Sequence, residues 1–131
     1  MKTIQSTVST PDELYPFHQP LEQISFFDIE TTGLSPKTSS IYLIGVMHYN
    51  NHKQSWQITQ WFADDYQSEE PILEAFLSYL EDFSYLYHFN GCTFDIPFVK
   101  AKCQKHHIAG DRSAASVRDH LQPGQRCRCQ Y

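Results

Sequence analysis

The segment Phe26-Phe27-Asp28-Ile29-Glu30-Thr31-Thr32-Gly33-Leu34 constrains this chain more than any other. Ile24, Phe26, Phe27 and Ile29 have the apolar, aromatic and β-branched character of a central strand. Residues i and i+2 of a strand point to one face, so Asp28 and Glu30 converge. Two ionised carboxylates side by side repel and lose hydration unless a cation, a hydrogen-bond network or a proton compensates them. A hard divalent cation such as Mg²⁺ or Mn²⁺, which prefers oxygen ligands, is the natural compensation. The competing arrangement has Asp28 bonded to the following turn and Glu30 in solvent. Thr31-Thr32-Gly33 is small and polar, and lets backbone approach a ligand just after the acids.

A second acidic segment follows another apolar run, Tyr85-Leu86-Tyr87, and reads His88-Phe89-Asn90-Gly91-Cys92-Thr93-Phe94-Asp95-Ile96-Pro97-Phe98. Asn90-Gly91 reads as a turn, and a helix begins near Phe94 with Asp95 in its first turn and Pro97 close behind. An acid at a helix N-terminus is favoured by the macrodipole with or without a function.

Together the two segments resemble motifs I and II of the DnaQ-like 3′-5′ exonucleases, the DEDD group of the ribonuclease-H-like superfamily, with FDIETTGL for the first and NGxxFDxP for the second. In detail they are similar to the bacterial YprB ribonuclease-H-like predicted exonuclease family, with Ile41-Tyr42-Leu43-Ile44-Gly45 as the short strand between the motifs. The resemblance implies that Asp28, Glu30 and Asp95 are three of the four acids that hold two Mg²⁺ or Mn²⁺ ions. It implies substrate-side roles for Thr31, Thr32, Gly33, Leu34, Asn90 and Phe94, the last two shaping the site rather than ligating. The activity implied is two-metal hydrolysis of phosphodiesters at the 3′ end of DNA or RNA. The family's third motif, a Tyr or His a few residues before a last Asp, belongs far downstream. The resemblance covers about residues 20 to 108, and only Asp111 and Asp119 remain beyond it. His107 stands four positions before Asp111, too soon after the second motif. The expectation is therefore a C-terminally incomplete α/β domain with weakened or absent activity. The alternative is a non-catalytic remnant that binds nucleic acid or a protein.

The end of the chain differs in composition. All four arginines, Arg112, Arg118, Arg126 and Arg128, fall there. Residues 1 to 100 carry four lysines against thirteen acids, a net of −9; residues 101 to 131 carry six basic groups against two acids, a net of +4. A basic nucleic-acid-binding tail and a frameshifted or truncated reading frame both fit this change, and the second fits better because the change coincides with the end of the resemblance.

The expected elements are an extended lead-in over residues 1–20, then strands at Ile24 to Glu30, Ile41 to Tyr49 and Trp56 to Phe62, with a hairpin turn at Asn50-Asn51-His52-Lys53. Ile72, Leu73, Phe76, Leu77 and Leu80 give Glu69 to Asp82 a helical stripe. A fourth strand at Leu86 to Phe89, parallel to the first, and a helix from Phe94 to about His106 follow. Residues 21–108 thus make most of a ribonuclease-H-like mixed sheet with flanking helices, and 109–131 an irregular basic tail. No apolar stretch approaches the roughly 20 residues that cross a bilayer, and no signal pattern opens the chain, so a cytoplasmic protein without membrane association is expected. Cys103, His106 or His107, Cys127 and Cys129 could in principle ligate zinc. The C-x-C spacing of the last two departs from the usual C-x₂₋₄-C, and free thiols are the plainer reading.

Overall fold

The computed structural model describes residues 1–9, 20–88, 94–108 and 127–129. Its elements are β1 (Lys2–Ser9), β2 (Ile24–Thr31), β3 (Ile41–Asn50), β4 (Ser55–Phe62), α1 (Glu69–Leu80), β5 (Tyr85–His88), α2 (Asp95–Lys105) and β6 (Cys127–Cys129). The six strands form one mixed sheet in the order β1-β4-β3-β2-β5-β6. β2 pairs antiparallel with β3 and parallel with β5, and β5 pairs parallel with β6. The mixed sheet with flanking helices expected from the motifs is present.

Local chemistry sets the hairpin between β3 and β4. The Asn50 side chain accepts the His52 and Lys53 amides at 3.0 and 3.1 Å, and Gln54 takes a positive φ of 48°. An Asx turn of this kind reverses the chain without a glycine.

Strand register sorts side chains onto two faces. Phe27 opposes Val46, Ile29 opposes Ile44, and Ile44 opposes Trp61, all on one face. They join Ile72, Leu73, Phe76, Leu77 and Leu80 of α1 and Ile96, Phe98 and Val99 of α2 in one buried core. Phe76 is central, its ring 5.4 Å from Phe27 and 6.5 Å from Trp61. Each such side chain contributes roughly 1.5–3 kcal/mol on burial. Both helices share this face, as right-handed crossovers stepping the same way along a sheet require.

The other face carries the rows Glu30–Leu43–Phe62, Asp28–Gly45–Gln60 and Phe26–Met47–Ile58. Ile4 and Val8, which register places on this face, remain 43% and 48% exposed. A cleft of about 340 Å³ runs along it from Glu30 and Asp28 past Gly45 to Met47 and Ile58.

Two stretches depart from expectation. Residues 2–9, read as part of an extended lead-in, form β1, paired antiparallel with the whole of β4 from Lys2–Phe62 to Ser9–Ser55. An exposed edge strand needs no apolar face, so its hydrophobic pattern is faint beside the prolines that follow it. Within the expected irregular tail, Cys127–Cys129 pair with Leu86, Tyr87 and His88 of β5. A three-residue strand joins through backbone hydrogen bonds and leaves little trace in side-chain periodicity. The remainder of the tail, 109–126 and 130–131, lies outside the described residues.

Candidate active site

β2 continues past the end of its parallel neighbour. Pairing with β5 runs from Ile24–Tyr85 to Phe27–His88, and among the described residues no strand flanks Asp28 to Thr31 on that side. The N-terminus of α2 occupies the gap, with Asp95 as its first residue. The Asp95 carboxyl accepts a hydrogen bond from the Ile29 amide and lies within hydrogen-bonding reach of Asp28. It is 5% exposed, and its Oδ2 is buried with no hydrogen-bond donor among the described residues. Burial first, then the Asp28 charge and hydrogen bond, push the Asp95 carboxyl up to about 7; the Ile29 amide opposes this and Glu30 adds to it. At neutral pH the Asp28–Asp95 pair is therefore poised to hold a proton or to exchange it for a cation.

Glu30 shares the face of Asp28 and is exposed, as alternation along β2 requires. It contributes its charge without joining the pair: among the described residues no three His, Cys, Asp or Glu side chains form a compact ligand group. A bulge between Glu30 and Thr31 turns the strand away directly after the acids.

The loop beyond is closed by its own polar groups. Thr31 Oγ1 donates to the Gly33 carbonyl at 2.8 Å, and the Thr32 amide donates to the Ser40 carbonyl at 2.9 Å. The Ser40 amide donates in turn to Thr32 Oγ1 at 2.9 Å. A Cβ at Gly33 would collide with Ser39 Oγ, so a larger residue there requires the Ser39 hydroxyl to turn away. Leu34 stands 87% exposed at its tip. Phe94 packs partly buried with its ring 5.4 Å from Phe98. Asn90, Asp111 and Asp119 lie outside the described residues.

The zinc arrangement considered from sequence finds no support in its describable members. Cys103 is buried in the core, where burial pushes its thiol up to about 11. His106 Nε2 sits 2.6 Å from Glu69 Oε1. Glu69 itself, 2% exposed, was legible only as an acid opening a helix, a position that usually faces solvent.

A family model for the RNase H superfamily matches residues 25–128, and the chain belongs to that superfamily. The match runs well past residue 108, where the motif resemblance ends. Over 52 residues, 38% of this chain and 3% of the relative, the sequence is 40% identical to a DNA polymerase of Ostreid herpesvirus 1 (isolate France). The fold is similar to that of the family B DNA polymerase from the hyperthermophilic archaeon Pyrobaculum calidifontis, with a TM-score of 0.55 at 16% identity. That likeness covers 72% of this chain and 12% of the archaeal one, so the chain spans a small part of either relative's length.

Proposed function

We propose that this chain is a metal-dependent nucleic-acid-processing domain of the 3′-5′ exonuclease type, with Asp28, Glu30 and Asp95 as its metal-binding and catalytic acids. The observation that carries this reading is the Asp28–Asp95 contact, with one buried carboxylate oxygen that has no hydrogen-bond donor among the described residues. An all-oxygen, proton-sharing pair suits Mg²⁺ or Mn²⁺. Asp28 and Asp95 would hold the cation between them, and Glu30 would complete its shell from the exposed side. Two such ions supply Lewis-acid stabilisation of a phosphodiester in hydrolysis.

The chain's own residues then bind and orient. The closed Thr31–Ser40 loop presents Leu34 to a nucleotide beside the acids, and the bulge after Glu30 keeps the strand clear of it. Phe94 flanks the site at the start of α2, and Asn90, outside the described residues, would help shape it as the motif resemblance implies. Nucleic acid is the substrate class this reading requires, and the likeness to two DNA polymerases supports it. The resemblance implies a fourth acid beside these three, and with three alone turnover would be slow. Among the described residues no helix is long and apolar enough to cross a membrane.

The absence of a three-member ligand group among the described residues favours a second reading, a non-catalytic module that binds nucleic acid or a protein. Calorimetry with Mn²⁺ and incubation with 5′-labelled single strands separate the two. The nuclease reading expects Mn²⁺ binding that Asp28→Asn abolishes, and slow shortening from the 3′ end. Unchanged Mn²⁺ affinity in that variant rejects the site. Strand binding without shortening at any Mn²⁺ concentration favours the second reading.

A further inference from the structure

Away from the acids, the core holds a charged cluster that the proposed chemistry does not use. Glu69 opens α1 with its carboxylate almost wholly buried. Its Oε2 accepts the Ile41 amide at 2.6 Å. Its Oε1 lies 2.6 Å from His106 Nε2 and 3.5 Å from Lys102 Nζ. Lys102 is 1% exposed, and its ammonium has no hydrogen-bond partner beyond this ion pair among the described residues.

Each of these contacts is tied to the candidate site. Asp95, Val99, Lys102 and His106 recur at spacings of three or four and so lie along one stripe of α2 and its C-terminal extension. Ile41 begins β3 and ends the loop that leaves Asp28 and Glu30. One carboxylate therefore joins the loop after the acids to the far end of the helix that delivers the third acid.

We infer that Glu69, gripping Lys102 and His106 on one side and the Ile41 amide on the other, is a positioning residue that sets where α2 places Asp95 against Asp28. The apolar contacts of Ile96, Phe98 and Val99 are non-directional. A charged, hydrogen-bonded contact at the other end of the helix adds a directional constraint on its axial position. Stability alone does not account for the cluster. Removing an ammonium from water costs several kcal/mol, and a buried ion pair replaced by well-packed apolar groups is often no less stable.

The test reads position without metal. The Ile29 amide is the donor to Asp95, so its hydrogen exchange reports that contact directly. In EDTA, Glu69→Gln and Lys102→Met should speed Ile29 exchange at least about tenfold relative to the β3–β4 amides. Leu80→Ala, which opens a cavity at the end of α1, should speed both together. Parallel loss in the Glu69 and Lys102 variants, or unchanged Ile29 protection, overturns the inference. His106→Ala, at a partly exposed position, serves where the buried variants fold poorly, and the same ratio decides. A second arm depends on the metal reading above. At a temperature where the variant is folded, Lys102→Met should weaken Mn²⁺ binding at least roughly fivefold, and equal affinity to the parent counts against positioning. If the parent binds no Mn²⁺, the metal reading fails, and the amide ratio still judges the role of Glu69.

Discussion

Replacing Asp95 by Asn should stabilise the metal-free protein at pH 8 and remove a pH dependence from its folding. The Asp95 carboxyl has an ordinary value of 3.8 and is pushed up to about 7 in the folded chain. Below 3.8 it is protonated in both states and costs nothing. Between 3.8 and about 7 the unfolded chain releases a proton that the folded chain keeps, so stability falls as pH rises. Above about 7 both states are ionised and the whole cost is present. At about 1.4 kcal/mol per tenfold change in proton affinity, the displacement amounts to about 4 kcal/mol at most. Asp28 faces water, which screens its part of the repulsion, and about 2–4 kcal/mol is the working range. Asn cannot ionise, its Oδ1 still accepts the Ile29 amide, and its Nδ2 can donate to Asp28. At about 4 °C per kcal/mol for a chain of this size, the variant should melt roughly 8–16 °C higher at pH 8. Urea unfolding in EDTA from pH 4 to 8 is the assay. His48 and His88, both held below their ordinary value chiefly by burial, impose the opposite slope, but equally in parent and variant, so the difference isolates Asp95. A variant no more stable than the parent at pH 8, or a difference that stays flat across this range, would refute the pairing of Asp95 with Asp28.

Other consequences are as direct. Glu30→Gln should eliminate Mn²⁺-dependent 3′ shortening of a 5′-labelled strand while leaving the melting curve within about 0.5 kcal/mol of the parent, because the side chain is exposed; shortening at the parental rate would remove Glu30 from the site. Phe76→Ala should cost about 3–5 kcal/mol in urea unfolding, since the ring is 2% exposed between Phe27 and Trp61. A loss below about 1 kcal/mol would mean that this core is not packed as described. Cys103, buried and with its thiol pushed up to about 11, should resist iodoacetamide in native buffer and react on unfolding. Rapid alkylation of Cys103 in the native protein would place it outside the core.

Much of the candidate site's layout was legible because its signals are local. The alternation Phe27, Ile29 against Asp28, Glu30 holds wherever β2 lies in a sheet, since side chains two apart on a strand share a face whatever surrounds them. The helical stripe from Ile72 to Leu80 and the Asn50 turn are equally local, as period and side-chain chemistry act within a few residues. β1 and β6 were not legible, because an edge strand of mixed polarity and a three-residue strand are held by backbone pairing with a partner distant in sequence.

The chain's own order of residues thus decided that two acids would share a strand face and that a third would open a helix. Residue pattern alone could not decide that Asp95 would meet Asp28. That took the tertiary fold: α2 begins with Asp95 against Asp28 and the Ile29 amide, and burial there changes the proton affinity of Asp95. The same holds for Glu69, which by sequence is an ordinary acid at a helix start and in the fold is a buried anion between Lys102, His106 and the Ile41 amide. Charge is written in the sequence, but its environment comes from segments far apart along the chain, and desolvation and Coulomb interaction act only once folding has brought those segments together.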